Sequence, residues 1–197
     1  MDTTTEGSLR ELAQRYSPAQ RRTLEAALEL FADHGVGGTS LQMIADSLGV
    51  TKAAVYHQFN TKEAIVTAVL EVELERIEAA LDDVAPIRSR TRAREVLLST
   101  LIDAVLERRH AFTTLQHDPV IVRLLGEHGP SRQLWQRLFS ELVGDDPGAR
   151  TRVRAAVLSA ALTAVAHPFT ADLDDDTLRS ELFSLTRPLL RSSTRSP

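Results

Sequence analysis

Two short apolar-periodic segments joined at a single glycine constrain this chain more than any other feature. Residues 39 to 63 read TSLQMIADSLGVTKAAVYHQFNTKE. Ile44, Ala45 and Leu48 share one face of a first helix, and Val55 and Phe59 share one face of a second. Gly49 can take the positive φ that a sharp turn between them needs. Ala45 is small enough to let the second helix cross closely. Thr51 can cap that second helix, whose outer face carries Thr51, Lys52, Tyr56 and His57. The pattern reads as a helix-turn-helix, a unit whose second helix is sized for the DNA major groove.

The flanking sequence supplies helices for this pair to pack on. Ser17-Pro18-Ala19-Gln20 has a capping serine, proline at the first helical position and glutamine to complete a capping box. Leu24, Ala27, Leu28 and Phe31 then follow a buried helical stripe, and Gly35 is a candidate stop. Thr39-Ser40-Leu41-Gln42 is a second capping-box candidate. Asn60-Thr61-Lys62-Glu63 starts a long helix to about residue 84, closed by Pro86. Residues 91–109, 119–126, 131–143, 148–167 and 175–191 read as five more helices between turn signals such as His117-Asp118-Pro119 and Gly129-Pro130. No segment alternates like a strand. The expected fold is all-α: a three-helix DNA-binding head over residues 1–62, then a helical domain over 63–197 with a polar tail.

Composition narrows the chemistry. The chain has no cysteine, which excludes disulfides and cysteine-ligated metals. His110, His117, His128 and His167 match no compact metal-ligand spacing, so no metal is expected. No nucleophile–base pair, phosphate loop or paired carboxylate appears, so neither enzyme activity nor a cofactor is expected. The N-terminus MDTTTEGSLREL lacks the apolar core of a signal peptide. The longest apolar-rich run, 155–166, is too short to span a bilayer. A soluble cytoplasmic protein without a membrane partner is expected. The net charge is −4, and residues 1–62 hold six basic against seven acidic residues, so long-range attraction to phosphate is modest. The only two lysines, Lys52 and Lys62, both stand at helix starts inside the head.

From about Arg22 to Val66 the chain closely resembles the DNA-binding head of the TetR family of bacterial transcriptional regulators. The matching landmarks are Ala26-Ala27 with Leu30-Phe31, Gly35, Thr39-Ser40, Ile44-Ala45, Gly49-Val50-Thr51-Lys52, Val55-Tyr56, Phe59 and Lys62-Glu63. The resemblance implies a homodimer, an approximately palindromic double-stranded operator and a small-molecule effector held by the C-terminal domain. Candidate DNA contacts are Thr39, Ser40, Thr51, Lys52, Ala53, Tyr56, His57 and Lys62. Lys52 can meet guanine or phosphate, Ala53 a thymine methyl, and Tyr56 and His57 phosphate. By resemblance, Tyr56 and Lys62 touch the DNA backbone. Thr39 and Thr51 can equally be plain caps. Arg10 and Arg15 are weaker candidates for the minor groove, and the Arg88, Arg90, Arg92, Arg94 cluster reads as a solvated face paired with acids.

Ligand pockets between helices are mainly apolar with few polar groups. Candidate effector contacts are Leu101, Val105, Phe112, Leu115, His117, Leu124, Trp135 and Phe139, each of which can also be ordinary core. Val153, Ala156, Val157, Ala160 and Ala164, with Leu178, Leu182, Leu185 and Leu189, form stripes suited to an intersubunit four-helix bundle or to the chain's own core. The leading expectation is a repressor released by a largely apolar ligand. The alternative is a helical protein-interaction module that does not bind DNA.

Overall fold

The computed structural model describes residues 15–127 and 129–190. Ten α-helices form among the described residues, and no strand. They are α1 (Pro18–Gly38), α2 (Leu41–Leu48), α3 (Lys52–Gln58), α4 (Lys62–Val84), α5 (Arg90–Glu107), α6 (Arg109–Leu115), α7 (Pro119–Glu127), α8 (Gly129–Val143), α9 (Ala149–Thr163) and α10 (Asp175–Thr186). The chain divides into two compact units. One comprises the described residues of Met1–Ala79 and His110–Ser131, the other those of Ala80–Arg109 and Arg132–Pro197.

The first unit is built on α1. Its start is the expected capping box: Ser17 Oγ accepts from Gln20 N, and Gln20 Oε1 accepts from Ser17 N. Leu24, Ala27, Leu28 and Phe31 are buried, and against them lie Ile44 and Ala45 of α2, Val55 of α3, Phe59, and Ile65, Val66, Ala68 and Val69 of α4. The same core takes Ala111 from α6 and Ile121 from α7, with Leu115, Val120, Leu124 and Leu125 packed at its edge. Helix α6 is an element the sequence did not announce. The segment expected as one helix over 91–109 ends at Glu107, and a new helix begins at Arg109. Neither glycine nor proline marks the break.

Gly35 interrupts α1 as expected, with φ 69° and ψ 166°, yet the helix resumes for one short turn to Gly38. That backbone region is open to glycine almost alone.

In the second unit Leu97, Leu98, Leu101 and Ile102 of α5 are buried, as are Leu138 and Leu142 of α8, Leu158 of α9, and Leu178 and Leu182 of α10, and α5 packs on α9 and α10. The last two α-helices end four or more residues before the sequence reading ends them. Helix α9 stops at Thr163 and passes into 3-10 turns at Ala164–Ala166 and Pro168–Thr170, while α10 stops at Thr186 before a 3-10 turn over Arg187–Leu190. Arg109 explains the first. Its guanidinium donates to the carbonyls of Val165 at 3.0 Å, Leu173 at 2.9 Å and Thr170, and to Asp175 Oδ1 at 3.2 Å. Those carbonyls converge on one cation only because the chain curls there.

The arginine cluster also corrects its sequence reading. Arg88, Arg90 and Arg92 are exposed, whereas Arg94 is 6% exposed. Arg94 donates from Nε to Glu141 O at 2.9 Å and from Nη1 to Leu190 O at 3.0 Å. It thus serves the carbonyl ends of α8 and the last 3-10 turn, where a cation is favoured by the backbone dipoles.

Candidate nucleic-acid interface

Helices α2 and α3 are joined at Gly49, which sits at φ 65°, ψ 30°. Its N–H and that of Val50 return to the carbonyls of Asp46 and Ala45, closing α2 with a tight left-handed cap. Ile44, Ala45 and Val55 are fully buried, so the pair is seated on α1 and α4 through one continuous face. The orientation of α3 follows: with Val55 inward, the opposite face must be outward. Thr51, Lys52, Ala53, Tyr56 and His57 are all exposed, Tyr56 at 55%.

The capping hydroxyls on this surface retain a free hydrogen. Thr51 Oγ1 accepts from Ala54 N at 3.2 Å, and Ser40 Oγ accepts from Met43 N at 3.2 Å. An acceptor lone pair is used in each case, leaving the O–H available to a phosphate oxygen. Capping and DNA contact are therefore compatible roles for one residue. Ser40, not Thr39, is the cap of α2, and no reciprocal glutamine arm forms; Gln42 Nε2 donates to Asp46 Oδ1 at 2.7 Å.

Thr39 and Lys62 are placed otherwise than expected. Thr39 is 2% exposed and donates its hydroxyl to Gly35 O at 2.9 Å and Leu30 O at 3.1 Å. Its side chain closes the end of α1 and does not face outward. Lys62 is half-buried, and its ammonium donates to Val36 O at 2.7 Å and Thr39 O at 2.9 Å. At least two of its three donors serve the carbonyl end of α1. Sequence reasoning missed this role, since the bonds span 26 and 23 positions. Thr61 Oγ1 caps α4 by accepting from Ala64 N at 3.0 Å.

Arg15 is held on α4, which removes it from the minor-groove candidates. Its guanidinium lies 2.7 Å from Glu75 Oε1 and 3.2 Å from Glu71 Oε2. Tyr16 beside it donates its hydroxyl to Glu71 Oε2 at 2.7 Å, and burial with that hydrogen bond pushes the phenol above its ordinary pKa. Arg10 lies outside the described residues.

The effector candidates fall into two groups. Phe112, Leu115, His117 and Leu124 belong to the first unit, with His117 exposed and the others half-buried. Leu101, Val105, Trp135 and Phe139 belong to the second, where Leu101 is core and Trp135 stacks on Phe139 with ring centres 6.1 Å apart. Two cavities in the second unit are lined by other residues, among them Arg179 and Phe183 in one and Leu81 and Arg88 in the other. The α9 stripe is outward: Val153 is 61% and Val157 45% exposed, and Ala156 and Ala160 are exposed with them. Leu185 on α10 is 71% exposed, whereas Leu178 and Leu182 are core.

This arrangement has close parallels. Residues 24–69 match the sequence profile of bacterial regulatory proteins of the tetR family. The transcriptional repressor KstR2 of Mycolicibacterium smegmatis is 30% identical over 143 residues, covering 65% of this chain and 67% of its own. The transcriptional regulator SrpR of Pseudomonas putida is 34% identical over 96 residues, covering 49% of this chain but only 44% of SrpR. The match thus spans less than half the length of some relatives. The crystal structure of the TetR-family regulator PfmR from Thermus thermophilus has the same fold, with a TM-score of 0.64, 20% identity, and coverage of 88% of this chain and 100% of PfmR. No helix among the described residues is long and apolar enough to cross a membrane. With its helix-turn-helix seated on α1 and α4, and with the match to the repressor KstR2 over two thirds of that protein's length, the chain belongs to the TetR family of bacterial transcriptional regulators.

Proposed function

We propose that this regulator is a cytoplasmic repressor that binds an approximately palindromic operator as a homodimer and is released by a small, largely apolar effector. In this reading residues 1–62 recognise DNA and residues 63–197 hold the effector and the dimer contact. The observation that carries it is the outer face of α3, where Thr51, Lys52, Ala53, Tyr56 and His57 stand exposed on a helix whose opposite side is locked into the core. Its N-terminal half would enter the major groove, with Lys52 donating to a base or phosphate and Ala53 packing on a thymine methyl. Ser40, Tyr56 and His57 would fix the register on the backbone. Lys62 would act mainly by holding the end of α1.

The exposed stripe of Val153, Ala156, Val157 and Ala160 with Leu185 supports the homodimer, since two copies would bury it as a four-helix bundle. Effector contacts would come from among Leu101, Val105, Phe112, Leu115, His117, Leu124, Trp135 and Phe139. An effector releases DNA only by its differential affinity for the two conformations.

The test is sequencing of DNA fragments selected by the purified protein from a random pool at two salt concentrations. An enriched inverted repeat is the expected result. Folded, dimeric protein that enriches nothing at either salt would overturn the reading in favour of a protein-interaction module.

A further inference from the structure

The kink at Gly35 breaks a hydrogen bond, and another part of the chain repairs it. In a continuous helix the Val36 N–H would donate to the Ala32 carbonyl, which needs ψ near −42° at the residue between the two peptides. Gly35 has ψ 166°, so the Val36 N–H turns away from its own helix. Donor and acceptor are both taken up by α6 and the turn after it. The Val36 N–H donates to Asp118 Oδ2 at 3.1 Å, and the Ala32 carbonyl accepts the Thr114 hydroxyl at 2.7 Å. His110 extends the line, its Nε2 lying 2.7 Å from Asp33 Oδ1. Residues 110, 114 and 118 recur at four-residue spacing, so this is a polar stripe on one side of one segment, laid along the end of α1.

Asp118 is the most constrained of the three. Its other oxygen, Oδ1, accepts from Val120 N at 2.9 Å. One carboxylate therefore ties the first turn of α7 to the end of α1. The Val36 backbone is gripped at both of its peptide groups, its N–H by Asp118 and its carbonyl by Lys62. The gripped stretch is Gly35-Val36-Gly37-Gly38, which leads through Thr39 to Ser40, the cap of α2. Three glycines in four residues hold no conformation by themselves. The path of this strap, and with it the entry into the helix-turn-helix, is set by side chains that reach it from elsewhere.

We propose that Thr114 and Asp118 are positioning residues for DNA binding, which splice the broken hydrogen bond of α1 and so fix where α2 and α3 stand. This rests on the DNA-binding reading above. The chemistry explains why position 118 is an acid: two N–H donors converge on it, and a carboxylate offers an acceptor to each. A carboxamide offers one oxygen and turns its NH2 on the other donor. Asp118→Asn therefore keeps one of the two bonds, and Thr114→Val removes the hydroxyl at nearly constant shape.

The experiment takes the full chain as wild type, Asp118→Asn and Thr114→Val. It measures amide hydrogen exchange without DNA, then binding to the selected operator over a salt series. In both variants exchange should speed up across residues 35–40 while Ile44 and Val55 stay protected. Operator affinity should fall about tenfold for Asp118→Asn, the loss of one charge-assisted bond, and less for Thr114→Val. The salt slope should not change, because no phosphate contact is deleted. A merely structural role would lower the melting temperature yet leave folded variant protein binding normally with 35–40 still protected, and that result overturns the proposal. The exchange arm stands apart from the DNA arm: if wild type selects no operator, the function reading fails, while unchanged protection at both Val36 and Val120 in Asp118→Asn sinks the splice itself.

Discussion

The Thr51 hydroxyl accepts the Ala54 N–H with its oxygen and keeps its own hydrogen for another acceptor, and Lys52 beside it has no such internal duty among the bonds of α3. Their replacements should therefore separate. Thr51→Ala should lower stability by about 1 kcal/mol as the cap is lost. Lys52→Ala should leave the melting temperature unchanged, weaken operator binding, and flatten the slope of log affinity against log salt by about 1 if the lysine meets phosphate. Equal effects of both changes on melting and binding would contradict this division. Gly35 poses the opposite problem, being strained for any other residue without being crowded. A Cβ built there would meet Asp118 Oδ2 at an ordinary 3.6 Å, but φ 69° with ψ 166° is open to glycine almost alone. Gly35→Ala should cost about 1–3 kcal/mol in denaturant unfolding; a cost near zero would mean that the kink relaxes without harm.

Elements differ in how far the sequence reveals them, and the reason is the range of the interactions that define them. Helices α1, α2 and α3 are delimited by local devices: Ser17 with Gln20, Ser40 with Met43, Gly49 at positive φ, Thr51 with Ala54. Each is written within four residues, so the helix-turn-helix and its outward face are readable from the chain. Helix α6 has no such punctuation, and its start follows from Arg109 reaching carbonyls 56 and 64 positions away. The buried role of Arg94 is likewise invisible locally, because its partners lie 47 and 96 positions on. Thr39 and Lys62 mislead for the same reason: their types fit a phosphate contact, and only the folded chain puts backbone carbonyls in their reach. Arg94 yields a sharp expectation for its unit. Arg94→Met keeps much of the buried stem but strips the donors from Glu141 O and Leu190 O, and should destabilise the protein by about 3 kcal/mol. Chemical unfolding followed by tryptophan emission suits the purpose, since Trp135, the only tryptophan, lies in the same unit. An unaltered midpoint would mean that water replaces the guanidinium freely.

At the scale of the whole molecule, the question is what the exposed apolar stripe is for. Val153 and Val157 are each more than two-fifths exposed and stand at helical spacing with exposed Ala156 and Ala160, while Leu185 on α10 is 71% exposed. Scattered surface leucines and valines are ordinary, but a continuous stripe rimmed by small residues is the form of a helix–helix contact. A two-fold contact is self-complementary, so a charge placed in it meets its own copy. Val157→Arg should accordingly convert the protein to monomer in sedimentation velocity without lowering its helix content. On the proposed reading two linked α3 helices would bind a palindrome with the second contact made intramolecularly, and a monomer would forfeit that linkage. Operator affinity should then fall by well over tenfold, while a single half-site, which never used the linkage, should be bound as weakly by the variant as by wild type. Leu185→Glu, on the other helix, should act in the same direction, and an exposed change outside the stripe such as Arg92→Glu on α5 should do much less. If Val157→Arg remains a dimer, the stripe is not the subunit contact. If it becomes a monomer yet keeps full operator affinity, one copy suffices for recognition, and the palindrome is not what this protein reads.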